Sequence, residues 1–386
     1  MTTVGAQPLL PLSAFIGLED EAYFYTGAHA PGLKAGAAAM EWAYAMKSTG
    51  PRGRAHLFER EEAAREQVAR LVDGASADDV GLLGDASTAW SSIANGWDWK
   101  PGDNVVLNEF EHPSVFAPWI RLRDRGLEVR FVRRRDDWDL PLADLAAACD
   151  ERTVAIGLSH VGYVTGLRYD PAEVAAFADS RGIPVILDVS HSLGVMPLAL
   201  SHAALIVSAS YKWTLGPYGV GIVYWNRDRL PDFRPGNVGW RSVEDIFRPG
   251  RFGDLDWSPG GRRFQLGAPA LSDIAALGEG ARVLADLGLG AVQQHAAAIT
   301  ARVYEGFRGL GLSITTPEDP DRRLGNVSFL HPRGEEVADQ LADAGIYVWG
   351  GDGRVRASSH VMNRLDDVDR LMAGLADVFE TLPAAP

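Results

Sequence analysis

The chain has 386 residues, of which 46% are hydrophobic and 23% charged, the proportions of an ordinary globular protein with a sizeable core. Its formal net charge of −14 and the lack of a basic stripe argue against nucleic acid or an anionic membrane surface as a partner. No apolar run approaches the roughly 18 residues of a spanning helix, and residues 1–15 lack the basic and apolar regions of a signal peptide. We therefore expect a cytoplasmic protein. The single cysteine, Cys149, excludes a disulfide within the chain and a cysteine-cluster metal site, and we expect no metal.

The N-terminal stretch is irregular and rich in Gly and Pro, which predicts an arm over residues 1–35. Residues 36–73 then show the apolar spacing of helices. From residue 80 onward, short apolar runs alternate with helical patterns. The predicted strands are 80–84, 105–108, 128–132, 153–159, 184–190, 204–210 and 219–225.

Continuous apolar strands separated by helices indicate a largely parallel sheet whose two faces are both covered. We therefore expect an α/β fold, with a mainly parallel seven-stranded sheet between helices in a large domain over residues 36–268. The tail combines long helical patterns with the short strand patterns LSITT, NVSFLH, IYVWG and RVRASS. These patterns predict a smaller α+β domain over residues 269–386.

Polar residues follow several of the predicted strands at their carboxyl ends, where parallel sheets bind ligands. These positions are Ser87 and Thr88, Glu109 to Ser114, His160 to Thr165, Asp188 to His191, and Ser208 to Lys212. Because several strands deliver polar groups to one edge, the sequence predicts a functional site there.

Lys212 lies between two apolar runs, in ALIVSASYKWTLGPYGVGIVYW, and the chain has only four lysines against 33 arginines. Burial disfavours the ammonium form and lowers the pKa of a lysine. A lowered pKa is what Schiff-base chemistry with a carbonyl compound requires. The alternative is a lysine at a strand end that reaches solvent.

Five further residues add to this chemistry. Ser87 and Thr88, between a strand and a helix, predict an anion site suited to phosphate, or an ordinary helix cap. Asp188 ends a buried strand and needs a cationic partner, such as a protonated ring nitrogen. His112 stacks on an aromatic cofactor or lies at the surface, and His191 contacts a ring hydroxyl or packs in the core. Together with Lys212, these groups describe pyridoxal 5′-phosphate.

With these motifs, the chain resembles a fold-type I pyridoxal-phosphate enzyme of the aminotransferase class V family, in the branch of kynureninases, isopenicillin N epimerase-like proteins and C–S lyases. The resemblance covers nearly the whole chain. It is strongest in EHPS, HVGYVTG, DVSHSLG and SYKWTLGPYGVGIVY. It implies pyridoxal 5′-phosphate as the cofactor, a small amino-acid substrate, and a homodimer with sites at the subunit interface.

The resemblance also implies a role for each matched residue. Lys212 forms the Schiff base with the cofactor and later moves the Cα proton, Asp188 pairs with the ring nitrogen, and His112 stacks on the ring. Arg356 binds the substrate carboxylate; without the resemblance, we would expect an exposed surface arginine. The other residues implied in cofactor binding are Ser87, Thr88 and Tyr211 at the phosphate, His191 at the ring hydroxyl, and Tyr163.

Three departures from the family bear on the reaction. Cysteine desulfurases need a nucleophilic cysteine that residues 310–360 lack, so we expect that the chain is not a cysteine desulfurase. Ala268 replaces a threonine that in many relatives reaches the neighbouring subunit's phosphate, which leaves that contact in doubt. Tyr163 stands where desulfurases have asparagine, and with His191 and Tyr211 it is similar to kynureninase.

We expect an enzyme that acts on an amino acid or an amino-acid conjugate through an external aldimine and deprotonation at Cα by Lys212. The favoured outcome is β-elimination of a sulfur substituent, ahead of transamination, epimerisation and kynureninase-like hydrolysis. An alternative from another class is a degenerate member that binds the cofactor or a partner without catalysis. A nicotinamide dehydrogenase is disfavoured because no strand is followed by G-x-G-x-x-G.

Overall fold

The structure, a computed structural model, describes residues 4–5 and 7–383. In these ranges the chain forms eleven β-strands and ten α-helices. The strands are β1 (Ala22–Phe24), β2 (Val80–Leu83), β3 (Asn104–Asn108), β4 (Glu128–Val132), β5 (Thr153–Ser159), β6 (Val185–Asp188), β7 (Leu205–Ala209), β8 (Gly221–Trp225), β9 (Asn326–Leu330), β10 (Ile346–Gly351) and β11 (Arg354–Ser358). The helices are α1 (Lys34–Met46), α2 (Pro51–Ala69), α3 (Ala86–Gly96), α4 (Pro113–Ile120), α5 (Leu142–Ala148), α6 (Pro171–Asp179), α7 (Leu271–Leu287), α8 (Leu289–Gly309), α9 (Gly334–Asp343) and α10 (Leu365–Thr381).

The larger sheet has seven strands in the order β2-β8-β7-β6-β5-β3-β4 within the described part of the chain. Each neighbouring pair from β7 across to β4 is parallel, and β8 runs antiparallel to both β7 and β2. The predicted α/β fold with a mainly parallel seven-stranded sheet is confirmed. The long apolar runs are explained by burial on both faces, because every residue of β3, β6, β7 and β8 is buried.

Two hydrophobic cores cover the faces of this sheet. Along β3, Val105 and Leu107 pack into the core that includes Trp90 of α3 and Trp119 of α4. Val106, between them, packs into the opposite core with residues of α2, α6 and α7. This alternation follows the two-residue period of a strand and leaves the sheet's carboxyl edge as the place for polar groups.

A smaller sheet has the order β1-β10-β11-β9 and packs on α8, α9 and α10. Strand β1 comes from the N-terminal stretch predicted to be irregular, and it pairs in parallel with β10. Three residues are too short a run to signal a strand, so this strand depends on its partner. The predicted strand LSITT is wrong as well, because Ile314 makes only an isolated bridge with Phe329.

The first helix of the tail, α7, packs on α1 and α2 of the larger unit. The domain boundaries at residues 35 and 268 remain predictions. Over the described ranges, no helix is long and apolar enough to cross a membrane. Over the same ranges, no group of three or more His, Cys, Asp or Glu side chains is arranged to hold a metal ion.

Gly221, at the start of β8, lies so close to the loop before α3 that an added Cβ would overlap the backbone of Asp85 and Ala86. Gly221→Ala should therefore destabilise the protein by about 1–3 kcal/mol, because backbone in a packed region must move. The measurement is the free energy of unfolding in urea. Gly290→Ala is the matched control, because Gly290 lies in α8 with open space around it. That change should leave the protein equally stable or up to about 1 kcal/mol more stable. Equal effects of the two substitutions would contradict the close approach.

Candidate active site

A cavity at the carboxyl edge of the larger sheet collects polar residues from five connections of the chain. Its lining includes seven residues singled out in the sequence: Ser87, His112, Tyr163, Asp188, His191, Tyr211 and Lys212. Asp85, Ala86, Ser114, Ser159, Ser190 and Ala209 complete it. Strands β5, β6 and β7 end beside one another in the sheet, and this brings their terminal residues together.

Lys212 follows β7 and is buried. Burial lowers the pKa of its amine to about 8, with Arg356 lowering it further and Asp188 opposing the shift. Its Nζ lies 3.2 Å from Nε2 of His191. About a tenth of Lys212 is therefore a free amine at pH 7, against less than about a thousandth of an ordinary lysine, and the free amine is the form that attacks a carbonyl.

Asp188, the last residue of β6, is oriented by two donors. Trp90 donates from Nε1 to Oδ2 at 3.1 Å, and the backbone N–H of Ser190 donates to Oδ1 at 2.9 Å. These bonds orient the buried carboxylate, which lines the cavity. No local pattern in the sequence indicates this role of Trp90, because Trp90 reaches Asp188 from α3, 98 residues away.

His112 caps the N-terminus of α4 and faces the same cavity. Its Nδ1 accepts from the backbone N–H of Ser114 at 3.2 Å, and its ring meets that of Tyr163 edge-on at 5.3 Å. Burial lowers the pKa of His112, and so do the nearby charges of Lys212 and Arg356. The imidazole is therefore neutral, and it lines the cavity.

The anion end of the cavity lies at the N-terminus of α3. Ser87 bonds to Ser114 through the two hydroxyls at 2.7 Å. The backbone N–H of Thr88 is already bonded to the Asp85 carboxylate, at 2.6 Å. The first N–H groups of a helix have no helical partner, so those of Ala86 and Ser87 are the ones suited to a phosphate. Thr88 instead lines a neighbouring cavity with Ala268, and its role in cofactor binding remains a prediction.

Tyr211 lies beside Lys212 and stacks on Tyr218 at a ring distance of 4.3 Å. Burial raises the pKa of Tyr211, so its hydroxyl keeps its proton and is available to donate to an anion. On its far side, the Tyr218 hydroxyl bonds to Nδ1 of His29 at 2.9 Å. The N-terminal stretch therefore supports this wall of the site.

Arg356, on β11 of the smaller sheet, is buried behind Tyr163, a lining residue of the cavity, rather than exposed at the surface. Its Nη1 donates to the backbone carbonyl of Tyr163 at 2.7 Å, while its Nε has no partner in the described part of the chain. Burial and the charge of Arg354 lower the pKa of Arg356 to about 9, which leaves it a cation at neutral pH. A buried guanidinium with free donors is suited to a carboxylate.

Glu111, which precedes His112 in the EHPS motif, is a buried acid for which the sequence predicts no individual role. Its Oε1 accepts from the backbone N–H of Ser159 at 2.9 Å, and Ser159 and Asn108 donate to it through their side chains. Burial raises the pKa of Glu111 to about 8. The carboxyl is thus largely protonated at neutral pH and holds Ser159 at the cavity wall.

These residues fit pyridoxal 5′-phosphate on chemical grounds. One cavity offers a partly neutral amine (Lys212), a fixed carboxylate (Asp188), a flat neutral ring (His112) and free N–H groups at a helix N-terminus (Ala86 and Ser87). The assignment of each residue to a part of the cofactor remains a prediction.

Comparison with known proteins agrees with this fit. A family model described as aminotransferase class-V matches residues 34–371. A probable cysteine desulfurase of Pyrococcus abyssi is 26% identical over 83% of this chain and 84% of its own. The apo structure of a cysteine desulfurase from Thermococcus onnurineus NA1 has a TM-score of 0.84 and 26% identity, covering 94% of this chain and 96% of its own. The cystine C–S lyase C-DES, in complex with cysteine persulfide, has a TM-score of 0.85 and 25% identity, covering 94% and 99%.

One expectation is wrong. The chain was expected to stand apart from the cysteine desulfurases, yet relatives bearing that name match more than four fifths of it. The expectation rested on one missing cysteine in one loop, whereas the similarity extends along the sheets and the cofactor edge. Cys149 itself is buried at the end of α5 and donates to the carbonyl of Leu145 at 3.3 Å.

The two charges next to Lys212 should shift its titration in opposite directions. In the cofactor-free protein, reductive methylation of Lys212 should be half-maximal near pH 8, against about 10.4 for an ordinary lysine. Asp188→Asn should lower that pH, because the carboxylate stabilises the ammonium form. Arg356→Gln should raise it, because the guanidinium destabilises that form. The measurement is the extent of labelling by peptide mass spectrometry as a function of pH. A shift of the same sign in both variants would refute the arrangement.

Glu111 should make stability depend on pH. Its pKa is raised in the folded state, so between about pH 4.5 and 8 the unfolded state loses a proton that the folded state keeps, and stability falls as pH rises. Glu111→Gln removes this dependence and keeps the hydrogen bonds. The free energy of unfolding of the variant relative to the wild type should therefore increase between pH 5 and pH 8, by on the order of 3 kcal/mol. Denaturant unfolding at both pH values measures the gain, and Glu151→Gln at the surface is the control. A gain that does not change with pH would count against a protonated Glu111.

Proposed function

The chain belongs to the aminotransferase class-V family and is a pyridoxal-phosphate-dependent enzyme, and we propose that it cleaves the C–S bond of a sulfur-substituted amino acid by β-elimination. Lys212 is the catalytic residue in this proposal. The residues proposed to bind the cofactor are Ser87, Thr88, His112, Tyr163, Asp188, His191 and Tyr211, and Arg356 binds the substrate.

The observation that carries the proposal is a buried amine, Lys212, with a buried guanidinium, Arg356, close enough to lower its pKa. Arg356 has no acidic partner among the groups that shift its pKa, only Arg354, Tyr163 and Tyr25. A buried charge without a counterion costs stability, and a substrate carboxylate supplies that counterion. Arg356 also lowers the pKa of both Lys212 and His112, so a carboxylate bound to it would lie near the amine and the imidazole.

Each residue has a defined task in the elimination. Arg356 binds the α-carboxylate of the substrate. Lys212 takes the proton from Cα onto Nζ, a transfer for which an amine with a pKa of about 8 is well matched. The Cβ–S bond then breaks with its electron pair on sulfur, which leaves as a thiolate or persulfide. The remaining aminoacrylate hydrolyses to pyruvate and ammonia.

When bound, the cofactor supplies an electron sink for the electron pair left at Cα. Asp188, held by Trp90 and Ser190, places a negative charge in the lining of the cavity. That charge favours a protonated partner atom, which is why we assign it to the ring nitrogen. His112 is neutral and held by Ser114, so it covers a ring face without adding charge.

The names of the proteins that this chain resembles favour sulfur chemistry over the other outcomes. The structural relative C-DES is named a cystine C–S lyase, and the sequence relatives are named cysteine desulfurases. Both activities break a C–S bond of cysteine or cystine. We therefore place the substrate in this class and treat alanine, the product of desulfuration, as an outcome to be measured beside pyruvate.

We also propose that the enzyme is a cytoplasmic homodimer. The segment between β8 and α7 exposes large hydrophobic side chains, with Phe247 at 75% and Phe252 at 90% exposure. Exposed apolar groups of this size mark an interaction surface. Sedimentation equilibrium tests the dimer, and a monomer at micromolar concentration would contradict it.

The activity itself is testable with cystine and a panel of S-substituted cysteines. The purified holoenzyme should release pyruvate and ammonia in equal amounts, and Lys212→Ala should reduce the rate by about 10²–10⁴-fold because the proton acceptor is gone. Pyruvate is measured with lactate dehydrogenase and alanine by chromatography. Lys100→Ala, at an exposed lysine, should keep the wild-type rate. Alanine without pyruvate would replace elimination by desulfuration, and an active Lys212→Ala variant would remove Lys212 from the proposal.

A further inference from the structure

A chain of buried side chains connects Lys212 to the smaller sheet. His191 Nε2 lies 3.2 Å from Lys212 Nζ, and His191 Nδ1 lies 2.9 Å from Nδ2 of Asn326. Ser358 bonds to Oδ1 of Asn326 at 2.7 Å. Asn326 begins β9 and Ser358 ends β11, where the two residues are paired across the sheet. The smaller sheet therefore contacts the candidate catalytic lysine through Asn326 and His191.

The direction of each hydrogen bond in this chain follows from donor chemistry. Ser358 donates its hydroxyl to Oδ1 of Asn326, so the amide nitrogen faces His191. An amide nitrogen only donates. His191 Nδ1 must therefore accept, and the ring hydrogen of a neutral His191 lies on Nε2.

This tautomer has a consequence for Lys212. The Nε2–H group of His191 points at Nζ, and an N–H donor bonds to an amine only when the amine has a free lone pair. An ammonium at that position would meet a donor instead of an acceptor. The geometry thus favours the neutral amine, the form that reacts with a carbonyl.

The surrounding charges keep His191 neutral. Burial lowers its pKa well below the usual range, and Lys212, Arg356 and His112 lower it further. The Asn326 amide opposes that shift. At the neighbouring Lys212, burial lowers the pKa and Asp188 raises it. With a neutral imidazole, only the position of its one hydrogen remains to be decided.

We propose that Asn326 is a positioning residue that fixes His191 in the Nε2–H tautomer, so that His191 donates to the amine of Lys212 and holds it unprotonated for cofactor capture. The inference rests on the proposed role of Lys212 as the lysine that carries the cofactor. Asn326 itself is not one of the residues that line the cavity. It acts through His191.

The first test reads the tautomer directly in the cofactor-free protein. Selective ¹⁵N labelling of the nine histidines with NMR distinguishes a protonated from an unprotonated ring nitrogen, and the His191→Gln variant identifies the His191 signals. The wild type should show hydrogen on Nε2. In Asn326→Asp, a carboxylate that only accepts should place a hydrogen on Nδ1. Hydrogen on Nδ1 in the wild type, or an unprotonated Nδ1 in Asn326→Asp, would overturn the proposal.

The second test reads Lys212. Reductive methylation of the cofactor-free protein is followed as a function of pH in Asn326→Leu, which removes the donor without adding a charge. Half-maximal labelling of Lys212 should move up by about half to one pH unit, the size expected for one lost hydrogen bond. Ser328→Ala is the matched control, since Ser328 is a buried residue two positions along the same strand. It should change neither the tautomer nor the labelling.

An unshifted Asn326→Leu variant, or an equal shift in Ser328→Ala, would overturn the positioning role. Both tests use protein without cofactor and do not depend on turnover. Their failure is therefore separable from failure of the proposed function, which the Lys212→Ala assay decides.

Discussion

Burial of the Lys212 amine is the constraint on which the site depends. An ammonium in a packed interior is costly, and here the cost appears as a pKa of about 8. Two neighbouring residues shift this pKa in opposite directions. Asp188 raises it by stabilising the charged form, and Arg356 lowers it by destabilising that form. The result is an amine whose two protonation states are equally populated near pH 8, within reach of neutral pH. Such a group can capture a carbonyl compound and later accept a proton.

The two sheets of the protein meet at this lysine. The larger sheet supplies Lys212, Asp188 and His191 from adjacent strand ends, and the smaller sheet supplies Arg356 and Asn326. Trp213, next to Lys212, adds a backbone contact, since its carbonyl bonds to Nε2 of His360 at 2.9 Å. The position of Arg356, the proposed substrate-binding residue, and the protonation of Lys212 therefore depend on the same packing between the two sheets.

Much of this arrangement was predictable from the chain alone. The strands 128–132 and 153–159 were predicted with the bounds they have, because apolar runs bounded by turns are a local signal. Lys212, Asp188, His112 and His191 were predicted to share an edge, because parallel strands end together. The three-residue strand β1 was missed, because its pairing with β10 joins residues more than 300 positions apart. Glu111, Trp90 and Asn326 were missed for a related reason. Nothing local in the sequence indicates which side chains lie behind a site.

The sequence by itself therefore determined the fold class, the cofactor and seven of the residues that line the candidate cavity, since these follow from hydrophobic periodicity and from motifs at strand ends. It led to a wrong expectation about the cysteine desulfurases. The absence of one cysteine was given more weight than a similarity that covers 83% of the chain. Only the tertiary structure decided the protonation of Lys212, Glu111 and His191. Those states depend on burial and on hydrogen-bond partners that arrive from distant strands, and a pKa is a property of the folded environment and not of the residue.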